Sequence, residues 1–377
     1  MKHILISAFV GSDNLGDEAI FESILKNVDF DKAKIMATSV NAEKTRKLNV
    51  IPVPAKSIGG IVNAIKKADL VIMGGGGIIQ DQSSILNLLY YAFQLGVAKH
   101  YKTPVVLAFV GVGPLQYWLS RFLLGRLASI VQYAIVRDKK SADLLSSVCK
   151  KQFPIHILHD PVLNYPVSLT EQKLTDDVLV SLRQWYFSLP LLPASMARKI
   201  NKRGYKSRAY QLLVSRFAVT FDSFLEAHPK ARIQFTSFYD SEDQEMVKDV
   251  VNKMKQTDRC VLPSRDVTVE AYVQAVSSAK ILFGMRLHSI ILSAVAGKAF
   301  VAIDYSPKVR SFAEKVGQAD AVVSVGEYEN DAFLIALTTI YDSAAARSKV
   351  IKTRRDDMAK ENKSGFAMIS ETIRQLS

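Results

Sequence analysis

The chain has 377 residues, more than one ordinary hydrophobic core accommodates, which predicts two domains. Its 49% hydrophobic and 23% charged residues are typical of a globular protein and exclude a low-complexity chain. A net charge of +13 and a pI near 9.5 favour anionic partners; nucleic acid is the least favoured of these, because basic-and-aromatic RNA-binding signatures are absent.

Two cysteines, Cys149 and Cys260, are too few for a disulfide framework or a zinc site. Reduced thiols are typical of a cytoplasmic protein, which is the localisation we expect. The apolar run Met1–Val10 is short and lacks a small-residue cleavage site, so we interpret it as a β-strand and not as a signal peptide. No stretch approaches the roughly 20 apolar residues of a membrane span, so any membrane contact is expected to be peripheral.

The first predicted strand, His3–Val10, opens into a polar loop, Gly11–Glu18, and a helix follows. The glycine spacing in this loop imitates a phosphate-binding loop, but Asp17 and Glu18 stand where that motif has Lys and Ser or Thr. Such carboxylates would repel nucleotide phosphates. Asn14 and Asp17 have two interpretations: they cap the helix and favour its dipole, or they bind sugar hydroxyls.

The rest of the first half alternates strands and helices, which predicts a doubly wound α/β domain. The glycine run Gly74–Gly77 lets the backbone approach a ligand or a neighbouring loop closely. It is not the dinucleotide-binding pattern, because Ile79 occupies the last glycine position. The predicted elements are the helix Ala19–Val28, the strands Ala33–Ser39, Asp69–Met73, Pro104–Val110, Tyr133–Val136 and Phe153–Asp160, the helix Ile58–Lys67 and a helix capped by Ser83 or Ser84.

A polar, proline-containing stretch, Leu163–Thr175, is interpreted as the linker to a second α/β domain. We expect an N-terminal domain over residues 1–165, a C-terminal domain over 176–345, and a last helix over 346–377 that packs back on the first domain. The predicted strands of the second domain are Val178–Leu182, Arg232–Ser237, Cys260–Leu262, Ile281–Met285, Phe300–Asp304 and Ala321–Val325.

A basic segment, residues 189–216, lies between the first two of these strands. A solvated helix face explains a charge run of this kind. Interleaved leucine and tyrosine residues leave a second interpretation open, which is an interfacial segment on anionic lipid. In that case the protein would lie at the inner face of the membrane.

Three cationic or titratable side chains follow two neighbouring strands of the second domain. Arg286 and His288 stand between a predicted strand and a short helix, and Lys308 follows the next strand. Open parallel sheets bind ligands at the edge where the carboxyl ends of their strands meet. Because a buried arginine without an anion would be costly, the sequence predicts an anionic ligand at this edge.

Several segments, in their order, resemble the polysaccharide pyruvyl transferase family over about residues 3–320. The strongest match is Gly284–Ser289, continuing through Asp304–Lys308. The weaker matches are Gly11–Glu18, Gly74–Gly77, Gly111–Pro114, Val136–Asp138 and His159–Pro161. The resemblance implies an α/β fold of two Rossmann-like domains facing a cleft, as in GT-B glycosyltransferases. It also implies transfer of pyruvate from phosphoenolpyruvate to two hydroxyls of one sugar, forming a ketal and releasing phosphate.

The resemblance also implies roles for residues of the cleft. His288 would be the general acid that protonates the methylene carbon of phosphoenolpyruvate. The residue types alone offer Asp17 and Asp304 as alternative general bases, and each also has a structural interpretation, Asp17 as a helix-capping residue and Asp304 as a turn residue. The candidate donor-binding residues are Arg137, Arg286, Lys308 and Ser289. The candidate acceptor-binding residues are Asn14, Gly16, Gly75 and Gly76. Neither a metal ion nor a cofactor is expected, and phosphoenolpyruvate is a co-substrate.

Two alternatives stay open on the sequence alone. A nucleotide-sugar-dependent glycosyltransferase on the same fold would use the same cleft with a different donor. A non-catalytic scaffold that binds anions or membranes would keep its function when His288 is replaced by alanine. The glycan acceptor is either a lipid-linked precursor of a cell-surface polysaccharide, which a basic surface would suit, or a soluble or polymeric glycan.

Overall fold

Two parallel β-sheets, each covered by helices, make up the chain, and the predicted α/β fold class of two Rossmann-like domains is confirmed. The sheets are parallel because most of their strands are continuous apolar runs that are buried on both faces. The computed structural model describes residues 1–82, 84–167, 174–184, 208–264, 267–327 and 331–376.

The first sheet has seven strands, which are β1 (His3–Val10), β2 (Lys34–Ser39), β3 (Ile51–Pro54), β4 (Leu70–Ile79), β5 (Val105–Val112), β6 (Val131–Val136) and β7 (Ile155–Ile157). Their order is β3-β2-β1-β4-β5-β6-β7, so the chain order reverses between β1 and β4 and opens a crevice at their carboxyl ends. The sequence did not predict β3, whose two prolines are tolerated because it is an edge strand.

The second sheet has six strands, which are β8 (Val178–Ser181), β9 (Ile233–Phe235), β10 (Cys260–Val261), β11 (Ile281–Gly284), β12 (Phe300–Asp304) and β13 (Val322–Ser324). All six were predicted, and their ends differ from the prediction by at most two residues. The order β10-β9-β8-β11-β12-β13 reverses between β8 and β11, which places a second crevice at the carboxyl ends of these strands.

Helices connect the strands of both sheets. The first domain contains α1 (Leu15–Asn27), α2 (Ala42–Arg46), α3 (Ile58–Lys67), α4 (Ile85–Tyr101), α5 (Trp118–Leu127) and α6 (Lys139–Val148). The rest of the chain contains α7 (Arg208–Ala227), α8 (Asp240–Val251), α9 (Val269–Ser278), α10 (Leu287–Val295), α11 (Pro307–Lys315), α12 (Ala332–Asp342) and α13 (Ala344–Arg374). None of the helices in the described ranges is long and apolar enough to cross a membrane.

The glycine run Gly74–Gly77 belongs to β4, so the prediction that this strand ends at Met73 is wrong. Gly74 pairs with Ala108 and Gly76 with Val110 in the neighbouring strand β5. Backbone hydrogen bonds alone extend the strand. The first helix, α1, begins at Leu15 and therefore includes residues that the sequence analysis placed in the loop.

The last helix, α13, contacts both domains. Near its start, the Ser348 hydroxyl accepts a hydrogen bond from the backbone N–H of Ala299 at the start of β12. Further along, the Phe366 ring packs against Phe109 of β5 with ring centroids 4.8 Å apart. One apolar core extends from the first sheet through this helix to the second sheet, and a separate core lies under α3, α4 and α5.

Candidate active site

The carboxyl ends of the two sheets face each other across a cleft, where the first turns of α1 and α10 meet. Gly16 in α1 lies directly against His288 in α10, since a Cβ atom built on Gly16 would lie 2.5 Å from Nδ1 of His288. No ordinary Cβ approaches another atom this closely, so the contact requires glycine at position 16. The N-termini of two helices converge here, which favours negative charge between them.

A cluster of His288, Asp160 and Arg137 joins the two domains. Oδ2 of Asp160 accepts a hydrogen bond from Nη1 of Arg137 and lies 3.5 Å from Nε2 of His288. The second distance is within ion-pair range but long for a hydrogen bond. Burial opposes ionisation of Asp160, but the neighbouring Arg137 and His288 outweigh it and lower the pKa of this carboxyl to about 2. Asp160 is therefore anionic at neutral pH.

One nitrogen of this cluster, Nη2 of Arg137, is buried without a hydrogen-bond partner among the described residues, whereas Nε2 of His288 has the Asp160 carboxylate at 3.5 Å. The orientation of the Arg137 guanidinium is fixed by a second hydrogen bond, which its Nε donates to the carbonyl oxygen of Phe109 over 2.7 Å. Phe109 has a positive φ of 52°, a strained conformation of a kind that clusters at functional sites. A buried donor without an acceptor costs free energy, which indicates that a ligand supplies the missing acceptor.

Lys308 approaches the cleft from the first turn of α11 on the second domain. Its Nζ lies 3.3 Å from the position that a Cβ on Gly77 would occupy, so it reaches the glycine run of the first domain. Desolvation and the positive charge of Arg137 lower the pKa of Lys308. An incoming anion would relieve the repulsion between these two cations.

Asp17 lies on the first-domain side of the cleft. Its Oδ2 accepts a hydrogen bond from Nδ2 of Asn14 over 2.7 Å, and its Oδ1 lies 3.5 Å from the position of a Cβ on Gly76. Burial raises the pKa of Asp17, and the nearby charge of His288 limits the rise. A carboxylate with a raised pKa is a stronger base, and Asn14 fixes its orientation.

The neighbouring Glu18 holds the loop before α1. Its Oε1 accepts hydrogen bonds from the backbone N–H groups of Gly11 and Ser12, at 2.7 and 3.1 Å. Burial raises the pKa of Glu18 to about 7. These contacts give Glu18 a structural role in shaping the loop that carries Asn14.

Arg286 is paired with a buried acid of its own domain. Its Nη2 donates to Oδ1 of Asp243 over 2.6 Å, and its Nε donates to Oδ2 over 3.0 Å. Asp243 is fully buried and also accepts the backbone N–H groups of Phe238 and Tyr239. Asp243 therefore supplies the anion that the buried Arg286 requires. The expectation that Arg286 needs an anionic ligand for this reason is not supported.

The Arg286–Asp243 pair reaches the first domain through the backbone. The carbonyl oxygen of Phe238, whose N–H is held by Asp243, accepts the N–H of Leu15 over 3.1 Å. The next residue forms an antiparallel bridge with Asn14. The pair thus holds the loop on which the first turn of α1 rests.

Two predicted contact residues do not face the cleft. Ser289 is fully buried, and its hydroxyl donates to the carbonyl oxygen of Arg286 over 2.6 Å, so this hydroxyl shapes the turn and does not face a donor. Gly75 is buried with a positive φ of 78°, and a Cβ there would lie 2.1 Å from Cγ2 of Ile20. Glycine is therefore required at this position so that Ile20 of α1 can pack against the strand.

Asp304, one of the two alternative bases, has structural partners. Its Oδ1 accepts the backbone N–H of Ser306 over 2.9 Å, and its Oδ2 pairs with Nε of Arg310 at 3.2 Å. These bonds hold the turn into α11. Asp17 is therefore the better placed of the two candidates for proton transfer.

Arg183 is a cation near the cleft that the sequence analysis missed. It follows β8, so it stands at the same carboxyl edge as Arg286. Its Nη1 donates to the Tyr305 hydroxyl over 2.7 Å, and its guanidinium lies 4.8 Å from the centre of that ring. Its position just after the buried strand β8 could have indicated that it lies near the cleft.

The chemistry of the cleft follows from these contacts. Two cations, Arg137 and Lys308, lie beside a histidine and a carboxylate, His288 and Asp17. Such a set can bind an anion with two charged groups and exchange protons with it. In the described ranges, no three His, Cys, Asp or Glu side chains are close enough to hold a metal ion.

Comparison with known families gives one match that covers the bulk of the chain. A family model described as polysaccharide pyruvyl transferase matches residues 14–307, from Asn14 to the residue before Lys308. A search of curated proteins found no match.

Solved structures share the fold at low sequence identity. The S. aureus MnaA–UDP co-structure has a TM-score of 0.61 and 11% identity, with 99% of this chain and 95% of that chain covered. UDP-GlcNAc 2-epimerase from Neisseria meningitidis, bound to UDP-GlcNAc, has a TM-score of 0.60 and 12% identity, with both chains covered completely. The glycotransferase of kitacinnamycin has a TM-score of 0.58 and 10% identity, covering 100% of this chain and 99% of that chain. These similarities show a GT-B fold.

Proposed function

The chain belongs to the polysaccharide pyruvyl transferase family, and from this premise we propose that it transfers pyruvate from phosphoenolpyruvate to two hydroxyls of one sugar. The products are a pyruvate ketal on the glycan and inorganic phosphate. The observation that supports the proposal is the buried Nη2 of Arg137, which has no hydrogen-bond partner among the described residues and belongs to a cation whose charge acts on Lys308. The glycan is proposed to be a cell-surface polysaccharide or its lipid-linked precursor.

The donor carries a carboxylate and a phosphate, so it needs at least two cationic partners. Nη2 of Arg137 has no partner among the described residues and can donate to an oxygen of either group. Lys308 offers a point charge with rotatable donors. The charge of Arg286 is compensated by its ion pair with Asp243. We therefore assign the donor contacts mainly to Arg137 and Lys308.

The proposed reaction begins with a proton from Nε2 of His288, which bonds to the methylene carbon of the donor. The adjacent carbon becomes electrophilic, and the first sugar hydroxyl adds to it while Asp17 accepts the hydroxyl proton. The bond from this carbon to the phosphate oxygen then breaks, and phosphate leaves with the proton from Asp17. The second hydroxyl closes the ketal ring, and its proton returns to His288.

The acceptor is proposed to lie against the first domain. Asp17 faces Gly76, so strand backbone and no side chain of that residue lies beside the carboxylate. Asn14 orients Asp17 through its amide, and Gly16 keeps His288 within reach of the same space. In this arrangement the first sugar hydroxyl would lie near Asp17 and the second near His288, on the same side of the donor.

Calorimetric binding of phosphoenolpyruvate tests the donor site. Lys308→Ala is expected to weaken binding by about 10- to 100-fold, because a hydrogen-bonded charge contributes roughly 1.5–3 kcal/mol. Lys349→Ala is the matched control, since it removes the same charge at an exposed residue of α13. Binding of a UDP-sugar in place of phosphoenolpyruvate would instead favour the glycosyltransferase, and absence of donor binding would contradict the proposal.

Gly16→Ala is expected to lower kcat by about 100-fold, because a displacement of about 1 Å in a reacting group has this effect. The added Cβ would push the imidazole of His288 away from its position. Gly59→Ala is the matched control: Gly59 is also the second residue of a helix, α3, and a Cβ there meets nothing within 4 Å. Equal kcat values for the two variants would show that the Gly16–His288 contact has no role in turnover.

A further inference from the structure

Three neighbouring helices of the first domain, α3, α4 and α5, form a surface whose charge is of one sign; we call it the α3–α5 face. They cover one side of the first sheet and pack against each other. Their sequences contain no Asp or Glu. Their cationic residues are Lys66, Lys67, Lys99, Arg121 and Arg126.

The positive charge of this face is not cancelled inside the protein. Nζ of Lys99 donates to a backbone carbonyl oxygen, and so does Nε of Arg121. Lys66 and Arg126 lie over aromatic rings, at 5.7 and 5.0 Å from the ring centres. Within the described part of the chain, none of the cations of the face has an acidic partner, so they are available to an external anion.

Large apolar side chains are exposed on the same helices. Trp118 is 76% exposed and Phe122, one helical turn later, is 45% exposed, with ring centroids 6.2 Å apart. Phe93 and Tyr101 are also exposed. Exposed aromatic residues beside unpaired cations are uncommon on a surface that contacts only water.

An open apolar groove of about 530 Å³ runs along this face. Its lining includes Val62 of α3, Phe93, Val97 and Tyr101 of α4, and Leu123 and Leu127 of α5. The groove has an apolar lining, as a hydrocarbon chain requires, and Lys66 lies over the ring of Tyr101 at its border. A short loop, residues 113–117, joins the carboxyl end of β5 to Trp118 at the start of α5, so this ring lies toward the cleft end of the face.

We infer that the α3–α5 face docks on the surface of an anionic lipid bilayer. The cations attract anionic headgroups, the indole and phenyl rings of Trp118 and Phe122 enter the interface, and the groove accepts an acyl chain. This location differs from the basic segment over residues 189–216, most of which lies outside the described residues. The inference needs neither the donor nor the acceptor and stands apart from the proposed reaction.

Vesicle co-sedimentation tests the inference. The wild type is expected to bind vesicles that contain phosphatidylglycerol and not pure phosphatidylcholine, with binding weakened by salt. The double variant Trp118→Ser, Phe122→Ser is expected to lose at least about 100-fold in affinity, because each of the two rings removes more than about 1.4 kcal/mol of burial, which is tenfold. Its affinity for phosphoenolpyruvate is expected to stay unchanged. The matched control is Val219→Ser, Ile335→Ser, which removes two exposed apolar side chains, 57% and 64% exposed, from the second domain.

Tryptophan fluorescence gives an independent readout, because the chain has two tryptophans, Trp118 and Trp185. In a Trp185→Phe background, anionic vesicles are expected to shift the Trp118 emission to shorter wavelength. Vesicle binding that survives loss of Trp118 and Phe122 but disappears when the cations of residues 189–216 are neutralised would overturn the inference. Failure of the wild type to bind anionic vesicles would overturn it as well.

Discussion

Replacing His288 by glutamine is expected to lower turnover by about 10²- to 10⁴-fold, the range that general acid–base catalysis contributes. Glutamine keeps a polar side chain beside Asp160 and Gly16, but it cannot deliver a proton to carbon. The affinity for phosphoenolpyruvate is expected to change little, because Arg137 and Lys308 carry the donor contacts. The measurements are phosphate release in the presence of the glycan acceptor and calorimetric binding of the donor.

The matched control is His156→Gln, on strand β7. His156 packs against Tyr133 with ring centroids 6.4 Å apart and has no place in the cleft. This variant is expected to keep the wild-type rate. Undiminished turnover in His288→Gln would contradict the role of His288 as the general acid.

Replacing Asp243 by alanine is expected to reduce the free energy of unfolding by about 3–5 kcal/mol, the cost of removing one partner of a buried ion pair. Arg286 would keep a buried charge without its carboxylate, and the N–H groups of Phe238 and Tyr239 would lose their acceptor. The loop under α1 would then be held only through its own backbone contacts. Thermal or urea unfolding followed by circular dichroism measures the change.

A double-mutant cycle measures the energetic coupling between Arg286 and Asp243. Removing both Arg286 and Asp243 is expected to destabilise the protein less than the sum of the two single replacements, because neither charge is left uncompensated. Asp249→Ala is the control: it removes a carboxylate from the same helix, where it accepts a hydrogen bond from Tyr210. Additive effects of the two single replacements would contradict a coupled Arg286–Asp243 pair.

The fold could be predicted from sequence where local pattern and tertiary environment agree. Strands such as β5 and β12 are continuous apolar runs because they are buried on both faces, and this pattern is visible in the sequence. The strand β4 extends through Gly74–Gly77, against the usual preference, because pairing with β5 depends on backbone groups that every residue has. The edge strand β3 contains two prolines and has no such signal.

Sequence reasoning could place those site residues that directly follow a strand, because sheet topology fixes where such residues lie. His288 and Lys308 follow neighbouring strands of the second sheet, and a parallel sheet brings such positions to its carboxyl edge; Arg137 stands at the corresponding edge of the first sheet. Their partners could not be predicted, because Asp160 lies 23 residues from Arg137 and Asp243 lies 43 residues from Arg286. Contacts of this kind depend on how the loops pack, and the sequence carries no spacing that encodes them.

The return of α13 to the first domain makes the chain pass between the domains twice. Asn362 of this helix donates to the carbonyl oxygen of Asp160 and accepts the N–H of His159, so the second passage lies beside the His288 cluster. The helix therefore ties Asp160 to the last element of the chain. Loss of the Asn362 side chain would disturb Asp160, which contacts both Arg137 and His288.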